Sequence, residues 1–495
     1  MPIDQTWFDQ QESHIPVGAV RTRFAPSPTG YMHVGNLRTA LYAYLIARSQ
    51  GGAYLLRIED TDVSRLVDGA LEAIYNTLAD CGLTHDEGPD LGGPVGPYIQ
   101  TERREIYGKY AERLIERGGG YYCFCDKTAA DDTEPSDEKQ IAKYDGRCGR
   151  LPTEEIRAKL AAGTPYVIRQ RIPEGRTTFS DVVFGEITVD NAELDDAVLM
   201  KSDGLPTYNF ANAIDDHLMG ITHVVRGSEY LSSTPKYNLL YAAFGWTPPI
   251  YVHCAPVMRD ATHKMSKRHG DPSYEDLIAM GYLTEAVLNY VALLGWSPGG
   301  EEEMFTLTEL VRVFDVKGIS KSPAIFDMDK LRYFNSAYIR AMAPDAFHAL
   351  ALPYIRETVQ NPALDTAAIA ETLQQRCETL TDIPEKVDFF DALPAYDVEF
   401  YVNKKSKTDE AVSRAMLDAA IPALEALSDW SKDGVHACLM GLAETLEVKN
   451  ATLMYPVRIA VAGKAVTPGG AVEICTILGK EETLKRLRYG RETLG

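Results

Sequence analysis

Two short segments of the chain combine residue types that suit binding of a polyphosphate. The first, at residues 23–36, reads RFAPSPTGYMHVGN, and its Pro- and Gly-rich turn lets a ligand approach the backbone closely. His33 and Gly35 then stand at the start of a predicted helix, where free N–H groups and the helix dipole favour a phosphate. The turn alone is equally well explained as a strand-to-helix connection whose histidine only caps the helix.

The second segment is the basic run KMSKR at residues 264–268, on a predicted loop that also contains Gly270 and Pro272. Three cations within five residues repel one another, so their concentration in a chain of net charge −21 suits a polyphosphate ligand. A basic run that stands alone is more often an ordinary solvated surface. That alternative stays open for residues 264–268 taken by themselves.

A third group of side chains could bind a metal ion. It consists of Cys123, Cys125 and Cys148, with Tyr144 four residues before the last cysteine. Zinc prefers four ligands, so three thiolates leave a place for Tyr144, for water or for a residue that the pattern does not identify. The alternative is three reduced cysteines without a metal. The other five cysteines are scattered, which excludes a secreted disulfide framework and predicts a reducing compartment.

The elements around the first segment follow a strand, loop and helix order. Residues 20–25 form a predicted strand, and apolar residues at helical spacing predict a helix over 34–49. The apolar run 53–58 is typical of a strand buried in a parallel sheet, and a second helix is predicted over 68–83. This order predicts an α/β sheet of the nucleotide-binding type, with its site at the carboxyl ends of the strands.

Changes in pattern divide the rest of the chain. Short β-like runs at 166–172, 179–183 and 186–189 interrupt the α/β pattern, which resumes near residue 208, and after residue 334 helical periodicity dominates. The predicted fold is a split Rossmann-type α/β domain with an inserted domain, followed by an all-α C-terminal region. The predicted ranges begin with an acidic leader at 1–19, for which disorder stays open. The two halves of the α/β domain are predicted at 20–117 and 207–255, with the insertion between them at 118–206. The basic loop and a connecting region are predicted at 256–335, and the helical region at 336–495.

The composition limits the classes of protein to consider. With 495 residues, 45% of them hydrophobic and 24% charged, the chain resembles ordinary globular proteins, which argues against whole-chain disorder and coiled coil. Its net charge excludes binding of nucleic acid by bulk positive charge but is compatible with a local basic patch. Residues 1–20 lack the basic and apolar regions of a signal peptide, and the least polar stretch, 286–300, is too short to span a bilayer. We therefore expect a cytoplasmic protein without membrane contact.

The two phosphate-type segments occur together in one known class of enzymes. His-Val-Gly-Asn at the first helix start and KMSKR after a split sheet resemble the signature pair of class I aminoacyl-tRNA synthetases. Further motifs are similar to those of the glutamyl-tRNA synthetase family, over residues 20–488. They are RFAPSPTG at 23–30, LRIEDTD at 56–62, YNFANAIDDH at 208–217, VVRGSEY at 224–230, KMSKRHG at 264–270, NYVALLGW at 289–296, FDMDKL at 326–331, PVRIAVAG at 456–463 and LGKEETLKRL at 478–487.

The resemblance implies a two-step reaction that uses ATP with Mg²⁺. The α-carboxylate of glutamate attacks the α-phosphorus of ATP to give glutamyl-adenylate and pyrophosphate, and the acyl group then passes to the terminal ribose of tRNA(Glu). The resemblance further implies that 118–206 binds the tRNA acceptor end, that 256–335 contacts the tRNA stem and that 336–495 binds the anticodon. A monomer is implied as well. Whether tRNA(Gln) is a second substrate stays open.

The resemblance also implies roles for individual residues. Arg23 and Arg226 are expected to meet carboxylates, with Arg23 selecting glutamate over glutamine, and Glu59 is expected to meet the ammonium group. Ala25, Ser27, Tyr208 and Asn212 complete the expected glutamate site. The expected ATP contacts are His33, Gly35, Asn36, Glu229, Lys264, Met265, Ser266 and Lys267. Among them, His33, Lys264 and Lys267 are the expected catalytic residues. The expected ligands of a structural Zn²⁺ are Cys123, Cys125, Tyr144 and Cys148.

Two residues depart from the family pattern. Asn36 stands where many class I enzymes have the second histidine of the motif, which leaves more of the phosphate charge to the lysines. Arg150 stands where zinc-binding members often have a cysteine or histidine, so the metal stays open.

Three rival assignments share parts of the pattern. Glutaminyl-tRNA synthetases share the architecture, but APSPTG and the KMSKR spelling argue against them. A short paralogue that glutamylates a modified tRNA base lacks the helical C-terminal domains, for which this chain has about 160 residues after Phe334. A non-catalytic descendant is disfavoured because Arg23, Glu59, His33 and both lysines, Lys264 and Lys267, are all present.

Overall fold

The structure is a computed structural model that describes residues 5–125, 144–265 and 270–495 of the chain. Ser266 and Lys267, both expected to contact ATP, lie outside the described residues. Contacts divide the chain into two compact units, one formed by 1–276 with 287–327 and the other by 277–286 with 328–495. The division at residue 328 precedes the predicted start of the helical region at 336.

The chain up to residue 327 contains both strands and helices. The strands are β1 (Arg21–Phe24), β2 (Ala53–Leu56), β3 (Gly120–Cys123), β4 (Val167–Gln170), β5 (Arg176–Asp181), β6 (Gly185–Asp190), β7 (Val198–Met200), β8 (His223–Gly227), β9 (Ile250–Cys254), β10 (Val257–Met258) and β11 (Ala324–Ile325). The helices are α1 (Gln5–Ser13), α2 (Val34–Ser49), α3 (Ala70–Asp80), α4 (Arg104–Glu116), α5 (Thr153–Ala161), α6 (Tyr208–Leu218), α7 (Thr234–Phe244), α8 (Tyr274–Ala279), α9 (Thr284–Leu293) and α10 (Leu307–Val313).

A six-stranded sheet joins the two halves of the predicted α/β domain. Its strand order is β2-β1-β8-β9-β5-β6, so strands from the first half lie beside strands from the second. The pairs from β2 through to β5 are parallel, and β6 is antiparallel to β5. The predicted split α/β fold is therefore confirmed. Because these strands are parallel, their carboxyl ends meet at one edge of the sheet.

Local sequence explains the first strand–helix unit. Helix α2 has the predicted bounds 34–49, and its apolar residues Leu37, Leu41 and Leu45 are fully buried. Gly52 lets the chain return from α2 into β2, because a Cβ there would lie 2.2 Å from the carbonyl oxygen of Val20. This return places β2 directly against β1, the strand that carries Arg23.

The strands of the predicted insertion divide between two sheets. β3, β4 and β7 form a separate antiparallel sheet in the order β3-β4-β7. β5 and β6 instead extend the large sheet, where Asp181 of β5 pairs with Tyr251 of β9. The expected inserted domain at 118–206 is therefore corrected at β5 and β6. Alternating side chains identify a strand but do not identify its partner in another part of the chain.

Helix α1 lies inside the range expected to be an acidic leader. Phe8 is buried, and its ring lies 5.0 Å from the ring of Tyr110 in α4. The ammonium group of Lys109 lies 4.2 Å from the ring centre of Trp7. The alternative of disorder, left open for 1–19, does not describe residues 5–13, because two aromatic side chains attach this polar helix to the α/β unit.

The C-terminal unit is helical, as the sequence predicts. Its interior is apolar and includes the buried side chains of Phe347, Val387, Leu417 and Leu487. No helix of the described ranges has the length and apolar character that a membrane crossing requires. The helices after residue 327 are α11 (Met328–Ala341), α12 (Pro344–Thr358), α13 (Thr366–Gln374), α14 (Ile383–Asp391), α15 (Glu410–Ala426), α16 (Lys432–Thr445), α17 (Asn450–Ala462) and α18 (Ala471–Thr493).

Candidate active site

A cavity of about 770 Å³ opens at the carboxyl ends of β1 and β8. The start of α2 and the loop that precedes residue 266 also contribute to its wall. This is the edge of the sheet at which the parallel order places a binding site. The predicted site residues that line the cavity are Arg23, Ala25, Ser27, His33, Gly35, Asn36, Glu59, Tyr208, Arg226, Glu229, Lys264 and Met265.

His33 caps the first helix of the sheet domain. Its Nδ1 accepts hydrogen bonds from the backbone N–H groups of Gly35 at 3.0 Å and Asn36 at 3.3 Å. The capping role that the sequence left open is therefore present. Two of the N–H groups at the start of α2 already have a partner, which leaves the side chains of His33 and Asn36, both on the cavity wall, as the polar groups that these two residues offer to a ligand.

Glu59 presents one unsatisfied carboxylate oxygen. Its Oε1 accepts hydrogen bonds from Arg57 Nη2 at 2.9 Å and Asn212 Nδ2 at 3.0 Å, whereas the buried Oε2 has no partner in the described ranges. Burial raises the pKa of Glu59, and the charges of Arg57 and Arg23 oppose that rise. A buried acceptor without a donor is costly, so the site fits a cationic ligand group. Asn212, predicted to contact glutamate, does not line the cavity and holds Glu59 instead.

Arg226 supplies a buried cation on the same cavity. The residue is only 5% exposed and forms no ion pair with a carboxylate in the part of the chain that is described. Its Nε donates to His253 Nε2 at 3.0 Å, and its Nη2 donates to Thr234 Oγ1 at 2.8 Å. The guanidinium carbon lies 4.4 Å from the ring centre of Tyr237. A buried guanidinium whose protein partners are neutral fits an anionic ligand.

Arg23 belongs to a network of buried charges below the cavity. Its Nε and Nη2 donate to Asp216 at 2.9 and 3.2 Å, and Arg57 Nη1 donates to the same carboxylate at 2.8 Å. The preceding residue, Asp215, accepts a hydrogen bond from Arg103 Nε at 2.7 Å. Burial alone would raise the pKa of Asp216, but Arg23 and Arg57 outweigh it and lower that pKa. The side chain of Arg23 is thus fixed before any ligand binds.

Sequence reasoning missed Arg57 and the two aspartates of this network. A signal was available in the motif YNFANAIDDH, because Tyr208, Asn212 and Asp216 follow one another at four-residue spacing. That spacing places all three on one face of α6. The same face carries a cavity residue, the partner of Glu59 and the partner of Arg23.

Glu229 reaches the cavity because the chain has a glycine two residues earlier. A Cβ at Gly227 would lie 2.2 Å from Oε2 of Glu229, so a side chain there would push this carboxylate away. Lys264 and Met265 line the same cavity, whereas Ser266 and Lys267 lie outside the described residues. The structure therefore brings the described part of the basic run to the cavity that holds the residues of the first segment.

The three predicted cysteine ligands form a cluster apart from the cavity. Their sulfur atoms all lie within 4.8 Å of one another, and Tyr144 Oη lies 3.3 Å from Cys123 Sγ and 3.5 Å from Cys125 Sγ. In tetrahedral zinc sites with bonds of about 2.0 to 2.3 Å, ligand atoms are separated by roughly 3.3 to 3.8 Å. Burial opposes ionisation of Cys125, yet hydrogen bonds from Tyr144 and Arg147 lower its pKa. The donor set and its spacing fit zinc.

Comparison with known proteins covers nearly the whole chain. The family described as tRNA synthetases class I (E and Q), catalytic domain, matches residues 19–333, and an anticodon binding domain matches 346–491. The chain belongs to the class I tRNA synthetases. A glutamate–tRNA ligase of Clostridium botulinum strain Hall is 59% identical over 478 residues, which cover 96% of this chain and 98% of the relative.

Solved structures of class I tRNA synthetases are similar along the same length. A glutamate tRNA ligase from Elizabethkingia meningosepticum, crystallised with its amino acid, has a TM-score of 0.87 and 34% identity, and covers 97% of this chain and 100% of that one. The glutamate-tRNA synthetase of Elizabethkingia anophelis has a TM-score of 0.84 and 33% identity, with coverage of 96% and 100%. A class I synthetase is an enzyme that uses ATP to join an amino acid to tRNA, and the cavity lies in its catalytic-domain match.

Proposed function

We propose that this synthetase is a glutamate–tRNA ligase. It activates L-glutamate with ATP to glutamyl-adenylate, releases pyrophosphate and transfers glutamate to the 3′-terminal adenosine of tRNA(Glu). One observation carries the proposal: the same cavity is lined by the buried Arg226, which has no carboxylate partner in the described ranges, and by Glu59, whose buried Oε2 has no donor there. An α-amino acid supplies the matching carboxylate and ammonium groups.

In the proposed complex, three charged side chains orient glutamate. Arg226 binds one carboxylate, Arg23 binds the other, and Glu59 Oε2 accepts from the ammonium group. Asp216 fixes the guanidinium of Arg23, and Asn212 fixes Glu59 through its other oxygen. Ala25, Ser27 and Tyr208 complete the wall. Burial raises the pKa of Tyr208, so its hydroxyl remains a hydrogen-bond donor at neutral pH.

ATP occupies the end of the cavity formed by the start of α2 and the basic loop. His33, Gly35, Asn36, Glu229, Lys264 and Met265 line that part of the wall, and Ser266 and Lys267 follow in sequence. Mg²⁺ enters with ATP as part of that substrate. The side chains of His33, Lys264 and Lys267 offset the charge that develops on the leaving pyrophosphate. The protein accelerates adenylate formation by orienting the glutamate carboxylate and by stabilising phosphoryl oxygens.

We assign a structural zinc ion to Cys123, Cys125, Cys148 and Tyr144. Zinc bound there would join the end of β3 to the turn at 147–150 and so stabilise the small sheet. The hydrogen bond from Arg147 to Cys125, at 3.1 Å, would support the thiolate form. No step of the reaction passes through this cluster.

The remaining assignments concern tRNA and the cell. In this proposal 118–206 binds the acceptor end, apart from β5 and β6, the range 256–335 contacts the stem, and 336–495 reads the anticodon. A net charge of −21 requires that RNA phosphates be met by local basic groups, so binding weakens as salt increases. The enzyme acts as a cytoplasmic monomer, and tRNA(Gln) is tested below as a second substrate.

The proposal is tested by charging of two purified tRNAs, one for glutamate and one for glutamine, with labelled glutamate and, in parallel, with labelled glutamine. We expect glutamate on tRNA(Glu), and much slower charging at low glutamate concentration with Arg226→Ala as a control for the cavity. Glutamate on both tRNAs would establish a relaxed ligase. Glutamine on tRNA(Gln) alone would establish the rival glutaminyl enzyme, and no charging of either tRNA would refute the proposed function.

A further inference from the structure

We propose that His253 and Asp181 are positioning residues that fix the guanidinium of Arg226 for a substrate carboxylate. This inference rests on the proposed function, because it takes Arg226 as a carboxylate-binding residue. Neither His253 nor Asp181 lines the cavity, so both act through Arg226 and not by direct contact with substrate.

The three side chains form a continuous chain of hydrogen bonds across the sheet. Arg226 of β8 and His253 of β9 are register partners, which places their side chains on the same face of the sheet. Arg226 Nε lies 3.0 Å from His253 Nε2, and His253 Nδ1 lies 2.7 Å from Asp181 Oδ2. The backbone N–H of His253 donates to the same Asp181 oxygen at 3.1 Å.

The donors and acceptors in this series of hydrogen bonds determine which imidazole nitrogen of His253 carries the proton. A guanidinium only donates, so Nε2 of His253 must accept and the imidazole must be neutral. The proton then lies on Nδ1 and donates to the Asp181 carboxylate, which is the arrangement that fixes a histidine tautomer. Asp181 is itself held in place, because its Oδ1 accepts from the backbone N–H groups of Val183 at 2.9 Å and Phe184 at 2.7 Å.

Two contacts hold one edge of the Arg226 guanidinium. Nε binds His253, and Nη2 binds Thr234 Oγ1, whose hydroxyl donates in turn to the carbonyl oxygen of Tyr230 at 2.8 Å. Nη1 has no protein partner within the described ranges, and Arg226 lines the cavity. The held edge therefore leaves the end of the guanidinium for a bidentate contact with a carboxylate, the geometry for which arginine is best suited.

Both supporting residues are sealed from solvent, since the side chains of His253 and Asp181 are 0% exposed. A buried histidine and aspartate that only filled space could be replaced by residues of similar volume without changing affinity for one substrate. A positioning role requires more than volume, because the residue at position 253 must then accept a hydrogen bond from Arg226. This difference separates the two roles experimentally.

The test compares His253→Leu with His253→Gln in charging assays with tRNA present. Leucine removes the acceptor, and we expect KM for glutamate to rise by about 10- to 100-fold, as for a lost hydrogen bond to a charged group, with KM for ATP nearly unchanged. Glutamine can place an oxygen near the position of Nε2, so His253→Gln is expected to recover most of the affinity for glutamate. Equal glutamate KM values for wild type and His253→Leu would overturn the inference, as would equal rises in the KM values for glutamate and ATP.

Two further variants keep the test decisive. Thr234→Val removes the other contact of Arg226 with little change in volume, and should raise KM for glutamate even where His253→Leu does not fold. In an Arg226→Ala background, His253→Leu should have no additional effect on glutamate KM. An unchanged KM in Arg226→Ala alone would refute the role of Arg226 in the proposed function. A raised KM in Arg226→Ala with no effect of His253→Leu or Thr234→Val would refute only the positioning role.

Discussion

The Nε and Nη2 atoms of Arg23 lie 2.9 and 3.2 Å from the two carboxylate oxygens of Asp216, in a two-point ion pair that is buried on both sides. Arg23 lies in β1 and Asp216 lies in α6, so the pair joins the first half of the catalytic domain to the second. Asp216 also binds Arg57 at 2.8 Å. The cation expected to select glutamate is therefore partly neutralised and fully oriented by the protein itself.

Removal of the Asp216 charge is expected to destabilise the protein. Asp216→Asn leaves Arg23 and Arg57 buried with one fewer anion, and breaking a buried pair in this way typically costs about 3 to 5 kcal/mol. The free energy of unfolding from urea denaturation measures the loss. Glu105→Gln, which removes an exposed ion pair with Lys109, serves as the control and should change little. Equal stabilities of Asp216→Asn and the control would contradict the network.

The contribution of Asp216 to stability should depend on pH. Its pKa is lower in the folded protein than the ordinary value of 3.8, so the folded state favours the ionised form. Stabilisation from a lowered carboxyl pKa is complete above the unfolded value and is lost as pH falls through the folded value. The stability difference between wild type and Asp216→Asn should therefore be constant at pH 5 to 7 and shrink below about pH 4. If the stability difference between wild type and Asp216→Asn grew as pH falls, the pKa of Asp216 would be raised on folding and not lowered, contrary to this prediction.

Glu59→Gln is expected to weaken glutamate binding without unfolding the protein. The amide keeps the size of the side chain and can still accept from Arg57 and Asn212 through its oxygen, but it replaces the unpartnered Oε2 with a donor that repels an ammonium group. We expect KM for glutamate to rise at least about tenfold and KM for ATP to change little. Glu72→Gln, an exposed site on α3, is the control. An unchanged glutamate KM would remove Glu59 from the site.

Arg23→Ala tests how the enzyme selects glutamate over glutamine. Loss of a charge-assisted hydrogen bond should raise the activation free energy of the reaction with glutamate by about 1.5 to 3 kcal/mol, which lowers kcat/KM for glutamate roughly 10- to 100-fold. The effect on the weak reaction with glutamine should be smaller. The ratio of the two kcat/KM values, measured on tRNA(Glu), should therefore fall. If glutamate KM stays at the wild-type value, another residue provides the selection.

Elemental analysis of protein purified without chelator tests the zinc assignment. We expect about one zinc per chain, retained in Cys438→Ser, whose sulfur lies outside the cluster, and lost in Cys148→Ser. Tyr144→Phe removes only the candidate oxygen ligand and should speed release of zinc to a chelator. Zinc-free wild-type protein would show that the three cysteines are simply reduced thiols, and equal release rates would point to water as the fourth ligand.

Local patterns in the sequence predicted the elements that carry the site. The bounds of α2 follow from its apolar spacing and from Gly51 and Gly52 at its end, and the strand after it follows from its apolar run. These predictions succeed because the determining residues are neighbours in sequence. Cavity residues such as Arg23, Glu59 and Arg226 were found through motifs, although their spacing alone does not bring them together.

Long-range pairing explains what the sequence did not reveal. Asp216 meets Arg23 across 193 residues, and Asp181 meets His253 across 72. Each of these residues is an ordinary polar side chain in its own segment, and only the sheet order gives it a partner. The same reason applies to α1, whose polar pattern carries no core signal until Phe8 packs on Tyr110. Partners of this kind depend on tertiary structure and not on local preference.

The pairing of Asp181 with Tyr251 restricts how this enzyme can be rebuilt from parts. A chimaera that exchanges the whole of 118–206 for the corresponding segment of another synthetase would also exchange the carboxylate beside His253. Grafts that end before β5 leave the large sheet and this carboxylate intact. Such grafts leave out β7, the third strand of the separate sheet. A module for transplanting the proposed acceptor-end contacts must therefore carry β7 together with β3, β4 and the helix between them, while β5 and β6 stay with the recipient's catalytic domain.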